Sequence, residues 1–420
     1  MVSHLPEASR LTDSTSACRL CGTDKLEVVL SLGKMPLANA SLTADQLHET
    51  EPVYVLELAF CSECTLVQIT ETVPPETLFG NYLYFSAYSQ TMLQESEQLA
   101  GWLIESRRLN FESFVVELGS NDGYQLQYFL AKHIPVLGID PAKNVVEVAE
   151  AKGVPTLCGY FGRKLALELR KKERLADVII AKNVLAHVAD LNGFVEGIGI
   201  LLKKDGIAVI EVPYVKDMID NSEFDTVYHE HLCYFSATAL NRLFGKHEMV
   251  LKDVEHIPLH GGSLRLYVAH SGKPMESVQS LLREEREWGV ERAETYLGFA
   301  DRVARVKDAL TALLTSIKKD GYSVAAYGAA AKGTVLLNYC EIGPDILDFV
   351  VDVSPYKQGR YIPGVRIPIY PPARLLEAMP EFTLILAWNI AEEVLRQQSE
   401  YIRRGGKFII PLPQPKIIGG

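Results

Sequence analysis

Four consecutive positions, Tyr228-His-Glu-His231, bring a phenol, two imidazoles and a carboxylate into one short segment. Imidazole moves protons near neutral pH, and a neighbouring carboxylate can set its tautomer and raise its basicity. Two histidines with a carboxylate between them can also bind a metal, and simple packing is a third interpretation. Because a tyrosine begins the segment and no other clear metal ligand accompanies it, the pattern favours general acid–base chemistry.

Two pairs of cysteines, Cys18-Arg-Leu-Cys21 and Cys61-Ser-Glu-Cys64, flank a stretch with short apolar runs. Each C-x-x-C turn offers two thiolates to one side of a metal, so four sulfurs predict a closed structural zinc site of the ribbon type. A redox C-x-x-C and packing cysteines are the alternatives. The three isolated cysteines are expected to be buried small apolar side chains; they are Cys158, Cys233 and Cys340.

A glycine-rich turn, Glu117-Leu-Gly-Ser-Asn-Asp-Gly123, follows a short apolar run and precedes a predicted helix that starts near Tyr124. Glycines let a ligand approach the backbone at such a turn. Asp140 ends the next predicted strand, where a carboxylate can accept the hydroxyls of a ribose. Together these features predict a nucleoside-type cofactor, although the dinucleotide pattern G-x-G-x-x-G is absent from this turn.

A second glycine-containing turn, Gly328-Ala-Ala-Ala-Lys-Gly333, follows another predicted strand. Its backbone N–H groups, the start of a helix and the cation of Lys332 would suit a diphosphate, whereas an ordinary solvated lysine is the alternative. The bend His260-Gly-Gly-Ser263 joins two predicted antiparallel strands. Its glycines, beginning with Gly261, would let a substrate approach closely, but a tight turn explains them equally well.

Alternating strand and helix patterns indicate two α/β blocks of doubly wound type, with a helix-favouring stretch from Pro274 to Asp320 between them. The chain has 420 residues, 48% of them hydrophobic, and a net charge of -11. Such a surface repels nucleic acid and anionic membranes. The chain lacks an apolar run of about 20 residues and a secretion-type start, so we expect a cytoplasmic protein that binds neither nucleic acid nor membrane.

Seven motifs occur in the order found in the nucleotide-linked 4-keto-deoxysugar C-3 methyltransferases, the dTDP-sugar enzymes of antibiotic biosynthesis of the TcaB9 type, which this chain resembles over essentially its whole length. They are the C-x-x-C pairs, Gly80-Asn-Tyr82, ELGSNDG from Glu117, NVLAHV from Asn183, YHEH from Tyr228, HGGSLRL from His260 and GAAAKG from Gly328.

The resemblance implies an α/β protein with a zinc-binding N-terminal domain, a class I S-adenosylmethionine methyltransferase core of Rossmann-like fold and a second Rossmann-like domain that binds the sugar nucleotide. We place these domains at residues 1–75, 76–273 and 274–420, and we expect a monomer. The implied cofactors are S-adenosylmethionine and structural zinc. The implied cofactor-binding residues are Glu117, Gly119, Asn121, Asp140 and Asn183.

The resemblance also implies a reaction, methyl transfer to C3 of an NDP-linked 4-keto-deoxysugar, with dTDP favoured, through deprotonation of C3 to an enolate. His231 is assigned as the base, Tyr228 as a hydrogen-bonding partner of substrate or enolate, and Glu230 as a support for the histidine. His187 and Tyr82 are further catalytic candidates, and Lys332, His260 and Gly261 are substrate-binding candidates.

Two alternatives stay open at this point. The same core could methylate oxygen or nitrogen of a small metabolite, which needs a base but no enolate. A zinc ribbon joined to such a core could instead recognise RNA or a protein, although the acidic charge balance opposes RNA binding.

Overall fold

The computed structural model describes residues 13–14, 17–80, 85–172, 174–258 and 261–419. Its N-terminal part is mostly strand, because branched and aromatic side chains dominate two long apolar runs. The strands here are β1 Asp13–Ser14, β2 Leu26–Pro36, β3 Val53–Cys61, β4 Val67–Ile69 and β5 Glu71–Thr72. A short helix, α1 Pro75–Phe79, follows them.

The middle of the chain alternates helices and strands. Its helices are α2 Gln90–Arg107, α3 Gln127–Leu130, α4 Lys143–Ala151, α5 Arg163–Lys171, α6 Leu191–Leu201, α7 Val215–Asp220 and α8 Ala237–Lys246. Its strands are β6 Val115–Leu118, β7 Val136–Asp140, β8 Thr156–Cys158, β9 Ala176–Lys182, β10 Leu202–Pro213, β11 Cys233–Tyr234, β12 Val250–Ile257 and β13 Ser263–Ala269. Side-chain caps begin three of these helices, from Ser89, Asp190 and Ser236.

The C-terminal part begins with two connecting helices and continues with a second α/β block. Its helices are α9 Glu276–Trp288, α10 Ala293–Lys319, α11 Ala331–Tyr339, α12 Ala373–Ala378, α13 Ala391–Gln397 and α14 Ser399–Arg403. Its strands are β14 Val324–Tyr327, β15 Val350–Val351, β16 Ile369–Tyr370, β17 Phe382–Ile385, β18 Lys407–Ile410 and β19 Lys416–Ile418. Short 3-10 turns elsewhere in the chain span Asp45–His48, Ser86–Tyr88, Leu185–His187, Phe224–Thr226 and Trp388–Ile390.

The first large sheet is antiparallel and has the order β11-β4-β3-β2. Its edge strand β11 comes from the middle of the chain, directly after the YHEH segment. The N-terminal sheet therefore includes residues that follow the candidate catalytic segment. A separate two-stranded sheet pairs β1 with β5.

The second sheet has seven strands in the order β12-β13-β10-β9-β6-β7-β8. Strands β6 to β10 are parallel, and β12 and β13 form the antiparallel hairpin predicted at one edge. The strand order reverses between β6 and β9. In open sheets of this kind, ligands bind at the carboxyl ends of the strands beside such a reversal.

The third sheet repeats this plan in the order β16-β15-β14-β17-β18-β19. Its first five strands in this order are parallel and β19 is antiparallel. The order reverses between β14 and β17. The protein therefore contains two doubly wound sheets, each with its own position for a ligand at the strand ends.

One hydrophobic core runs through all three parts of the chain. It joins residues of the antiparallel sheet, such as Phe60, to both doubly wound sheets through the helix α10. Phe60 stacks on Tyr296 of α10 with ring centroids 4.5 Å apart. Smaller clusters cover the second faces of the two α/β sheets, as expected for parallel strands that are buried on both sides.

Most predicted elements agree with the structure, including the pair of helices between the two α/β blocks. The helix predicted to start near Tyr124 is wrong in place and length. Residues 121–126 form turns, and α3 begins only at Gln127 and lasts one turn. Gly123 has φ of 78° in this stretch, a left-handed conformation that interrupts a helix.

Candidate active site

The four paired cysteines meet at one end of the antiparallel sheet. Their ligand atoms all lie within 4.8 Å of one another, with Sγ of Cys18 3.4 Å from Cys64 and Sγ of Cys21 3.6 Å from Cys61. A tetrahedral zinc shell with bonds of about 2.3 Å places its sulfur atoms about 3.8 Å apart. The cluster therefore fits the predicted zinc ion, with all four ligand positions supplied by sulfur.

The other cysteines divide as follows. Cys233 and Cys340 are buried, as predicted, but Cys158 is exposed at the end of β8. The prediction of burial was wrong for Cys158 because β8 lies at the edge of its sheet, where one side of the strand has no neighbour.

A cavity of about 1600 Å³ lies between the two doubly wound sheets. Typical small-molecule pockets occupy about 300–1,000 Å³, so this cavity has room for two ligands side by side. Its walls include the carboxyl ends of β6 and β7 on one side and of β14 and β15 on the other. Asn39 and Thr72 add a contribution from the N-terminal part.

The turn after β6 forms the first ligand position. Gly119 has φ of 64°, and a Cβ there would lie 2.4 Å from Cγ2 of Val184, so only glycine fits. Asp140 at the end of β7 accepts hydrogen bonds from the backbone N–H groups of Asn121 and Ala142, each at 2.9 Å. These bonds fix the orientation of the carboxylate at the cavity wall, and burial raises its pKa.

Asn183 completes this half of the cavity. It adopts a left-handed conformation just after β9, and its buried Oδ1 has no hydrogen-bond partner within the described part of the protein. A buried acceptor of this kind needs a donor, and the amino groups of S-adenosylmethionine would supply one. The cradle and this acceptor therefore fit the predicted cofactor.

Glu117 does not belong to the cavity wall, contrary to its predicted place among the cofactor ligands. Its side chain is fully buried beneath the turn, next to Lys182 on the neighbouring strand β9. Burial raises its pKa well above the ordinary value, and the charge of Lys182 opposes this shift. Side chains alternate along β6, so Glu117 cannot point to the same side as its neighbours.

Tyr228 and His231 lie together in the cavity. The hydroxyl of Tyr228 is 2.8 Å from Nε2 of His231, and Nδ1 of His231 is 3.0 Å from the carbonyl oxygen of Thr226. Because a carbonyl only accepts hydrogen bonds, Nδ1 carries the proton in the neutral ring. Nε2 is therefore the basic nitrogen, and the hydroxyl of Tyr228 donates to it.

His187 stands beside this pair. Its ring is 4.8 Å from that of His231 in an edge-to-face arrangement, and it ends the 3-10 turn that follows β9. Burial lowers the pKa of His187 to about 4, against the effect of a backbone hydrogen bond with Glu230. The ring is therefore neutral at pH 7.

The sequence predicts that Glu230 supports His231 by setting its tautomer, but the structure gives this role to another group. The contact that sets the tautomer comes from the carbonyl of Thr226, which the local turn brings under the ring. Both carboxylate oxygens of Glu230 instead accept hydrogen bonds at 2.8 Å from Nδ2 of Asn39. His229, which lies between Tyr228 and Glu230 in the chain, contacts the antiparallel sheet. Its Nε2 lies 3.2 Å from the carbonyl oxygen of Val55 in β3, away from the cavity.

Lys332 is the second residue of α11 and lies among acidic side chains rather than in open solvent. It stacks on the ring of Trp388 at 4.4 Å, and Glu223 and Asp225 attract its charge. Burial raises the pKa of Glu223 to about 8 and that of Asp225 to about 6, with Lys332 opposing both shifts. Nε1 of Trp388 donates to Asp225 at 2.7 Å.

The glycine bend lies close to this group. Gly261 lines the cavity with φ of 98°, and a Cβ there would lie 2.4 Å from Oε2 of Glu223. Any side chain at position 261 would collide with Glu223, so the close approach of the two backbone segments requires glycine there. His260 and Tyr82, both predicted site residues, lie outside the described residues.

The second doubly wound sheet carries the same arrangement as the first. Gly328 follows β14 with φ of 92°, and Asp352 follows β15. Asp352 accepts hydrogen bonds at 2.7 Å from the backbone N–H groups of Ala329 and Ser354, as Asp140 does from its own turn. Both carboxylates line the one cavity.

Several residues of this site were missed from the sequence. Asp352 could have been found, because it follows a glycine turn and a strand just as Asp140 does. Asn39 and Thr226 had no such signal. Asn39 lies 191 residues from Glu230 in the chain, and Thr226 acts through its backbone.

Known proteins match the chain along nearly all of its length. Three family models match successive parts: "Putative zinc binding domain" residues 18–79, "Methyltransferase domain" residues 90–250 and "C-methyltransferase C-terminal domain" residues 258–413. C-methyltransferase NovU of Streptomyces niveus is 35% identical over 404 residues, which cover 96% of each chain.

Solved structures of methyltransferases and of other proteins match part of the chain. Magnesium protoporphyrin IX methyltransferase of Synechocystis with bound SAM covers 43% of this chain and 79% of its own, with 14% identity and a TM-score of 0.33. The YcgJ protein of Bacillus subtilis covers 43% of this chain and all of its own, with 17% identity and a TM-score of 0.34.

Within the described residues, none of the helices combines the length and the apolar composition that a membrane crossing requires. The match to NovU covers 96% of the chain and therefore extends over all three of its parts. The chain belongs to the S-adenosylmethionine-dependent C-methyltransferases, with a zinc-binding N-terminal part.

Proposed function

We propose that the protein transfers a methyl group to C3 of a nucleoside-diphosphate 4-keto-deoxysugar, with His231 as the base that removes the C3 proton. The observation that carries this proposal is the Tyr228–His231 pair, which lies in a cavity shared by two strand-end ligand positions. Family membership already favours carbon over oxygen or nitrogen as the methyl acceptor.

Carbon methylation next to a ketone requires a base, because that carbon becomes nucleophilic only after a proton leaves. His231 is suited to this step, since its Nδ1–H is fixed on Thr226 and its Nε2 faces the cavity. The hydroxyl of Tyr228 must turn away from Nε2 before the proton can arrive there. In our proposal it turns to the 4-keto oxygen, so one movement frees the base and supplies a donor to the substrate.

The oxygen of the ketone gains negative charge as C3 loses its proton, and hydrogen-bond donors stabilise that charge. Tyr228 is the donor in this scheme. The neutral ring of His187 donates its one N–H to the backbone carbonyl of Glu230, so its role in this scheme is to pack edge-to-face against His231. The C3 proton ends on Nε2 of His231 and exchanges there with solvent; the enolate is then either methylated or takes a proton back from the same nitrogen.

Bound S-adenosylmethionine supplies an electrophilic methyl group. The residues proposed to hold it are Gly119 and Asn121 at the turn, Asp140 at its ribose and Asn183 at an amino group. These residues lie along the same cavity as His231. The geometry of the cradle thus supports a shared space for donor and acceptor.

The nucleotide of the substrate is assigned to the second sheet. Asp352 and the glycine turn at Gly328 repeat the arrangement of Asp140 and the glycine turn at Gly119. Lys332, in the first turn of α11, provides a cation for the diphosphate. Glu223 and Asp225 offset part of this charge, so the backbone N–H groups of the turn share the role. The preference for dTDP rests on the sequence resemblance.

The test incubates the protein with S-adenosylmethionine and dTDP-4-keto-6-deoxysugars, with and without a 3-amino group, in water and in deuterated water. Mass spectrometry should show a product heavier by one methylene, and deuterium should enter C3 of substrate recovered without methylation. Deuterium at C3 without methyl transfer would support His231 as the base but contradict the choice of sugar substrate. Absence of both with every 4-keto sugar would contradict the proposal.

A further inference from the structure

The segment that carries the catalytic candidates is docked on the zinc-binding part of the protein. Directly after His231, the carbonyl of Leu232 accepts a hydrogen bond from Ile69, and Cys233–Tyr234 forms the edge strand of the antiparallel sheet. His229 contacts the carbonyl of Val55 in the same sheet. The position of the segment thus depends on the N-terminal part of the chain.

A loop of that N-terminal part enters the cavity. It follows β2 and is held against the C-terminal block by several hydrogen bonds. Leu42 exchanges backbone hydrogen bonds with Tyr361, and the hydroxyl of Thr334 in α11 donates to the carbonyl of Ala38 at 2.9 Å. Asn39 follows Ala38 and lines the cavity.

Asn39 binds the carboxylate of Glu230 directly. Its Nδ2 is 2.8 Å from each of the two oxygens, and Glu230 is only 3% exposed. A buried carboxylate needs hydrogen-bond donors to stay charged and in one orientation. A donor centred between both oxygens restricts rotation of the carboxylate, and Glu230 directly precedes His231 in the chain.

We propose that Asn39 is a positioning residue for the reaction: through Glu230 it holds the Tyr228–His231 pair in its working orientation. The zinc-binding part would then contribute to the active site itself as well as to folding. This inference rests on the proposed function, because it takes His231 as the base.

The side chain of Asn39 allows a sharp test, since aspartate has the same shape but lacks the N–H donor. We expect Asn39→Ala to lower kcat about 10- to 100-fold, the range for loss of a hydrogen bond to a charged group, with KM for S-adenosylmethionine within twofold of wild type. Asn39→Asp should show a similar loss at pH 8.

The loss in Asn39→Asp should shrink as the pH is lowered toward 6. Two facing carboxylates share a proton more readily than one carboxylate binds it, and the shared proton restores a hydrogen bond to Glu230. Titratable groups near Glu230 include Tyr228, His229 and His231 on its own segment, His187, whose ring bonds to the Glu230 backbone, and Glu71 of β5, whose charge acts on His229; all are common to both proteins. The ratio of variant to wild-type kcat at each pH therefore isolates the change at position 39.

Asn192 provides the matched control. It also ties the zinc-binding part to the rest of the chain, through Nδ2 to the carbonyls of Arg19 and Leu20, but it does not line the cavity. Asn192→Ala should lower the melting temperature and leave kcat within twofold. Zinc content and melting temperature are measured for all variants.

Two outcomes would overturn the inference while His231→Asn is inactive. One is a kcat within twofold of wild type for Asn39→Asp at every pH. The other is a loss that stays constant with pH, which indicates a packing role. If His231→Asn itself keeps normal turnover, the proposed function fails rather than the role of Asn39.

Discussion

The imidazole of His231 has contacts at both nitrogens, and each contact has a separate consequence for chemistry. The carbonyl of Thr226 fixes the proton on Nδ1, while the hydroxyl of Tyr228 covers Nε2. A base arranged in this way becomes available only when Tyr228 moves. We propose that this arrangement links removal of the C3 proton to the arrival of the substrate, whose 4-keto oxygen the hydroxyl of Tyr228 can bind.

Replacing His231 with asparagine should lower turnover by about 10²- to 10⁴-fold, the usual contribution of a general base. Deuterium should no longer enter C3 of the sugar. Binding of S-adenosylmethionine, measured by calorimetry, should be unchanged because its proposed ligands lie elsewhere in the cavity. An equal loss of cofactor affinity would count against the assignment. Tyr228→Phe is the companion variant and should lose turnover while keeping the base.

Glu223 gives a prediction about pH and stability. Burial raises its pKa from about 4.5 to about 8, so between these values the folded protein binds more protons than the unfolded chain. Its contribution to stability is therefore fully present below pH 4.5 and is lost as the pH rises toward 8. Glu223→Gln should make the melting temperature less sensitive to pH between 5 and 8. A variant with the wild-type pH dependence would contradict this.

At the scale of elements, the antiparallel sheet connects the metal site to the active site. Cys61 ends β3, and β4 pairs both with β3 and with β11, the strand that follows the catalytic segment. Loss of the metal would disturb the turns that hold the cysteines and then this sheet. A zinc site remote from the cavity can therefore affect both stability and the catalytic segment.

Cys61→Ser should lower zinc content and melting temperature together, because the folded site and the metal stabilise each other. Cys158→Ser is the control, since Cys158 is exposed and lies outside the four-cysteine cluster. It should keep one zinc per chain, measured by atomic emission, and normal thermal stability. Full metal content and full stability in Cys61→Ser would refute the zinc assignment.

At the scale of the whole molecule, two doubly wound sheets direct their strand ends into one cavity, and the N-terminal loop closes part of its wall. Contacts between the methyltransferase part and the C-terminal block include the stacking of Phe85 on Tyr356 at 4.5 Å, a hydrogen bond from Thr91 to Glu393 at 2.9 Å and one from Trp388 to Asp225 at 2.7 Å. The three parts thus form one catalytic body around the cavity.

We expect this body to be a monomer in solution. The main hydrophobic core already joins all three parts of the chain, and the exposed large apolar residues come from many separate elements. Light scattering after size-exclusion chromatography should give a mass near 46.7 kDa that does not change with concentration. A stable mass twice as large would contradict the expectation.

Local patterns in the sequence determined much of this architecture. The two C-x-x-C pairs, the glycine turns at Gly119 and Gly328 and the strand end at Asp140 each depend on neighbouring residues, so their residue types and spacing were sufficient. The edge hairpin and the connecting helices followed from periodicity alone. Spacing could not place the helix after Gly123, because the left-handed residues Asn121 and Gly123 lead into further turns and the helix starts only at Gln127.

Only the tertiary structure decided the partners within the site. In the folded protein a backbone carbonyl orients His231, Glu117 lies outside the cavity wall, and Lys332 has two acidic neighbours. The tertiary structure also brings Asn39 to Glu230 across 191 residues of chain. Such contacts depend on how separate sheets pack together, and that packing has no local period or spacing in the sequence.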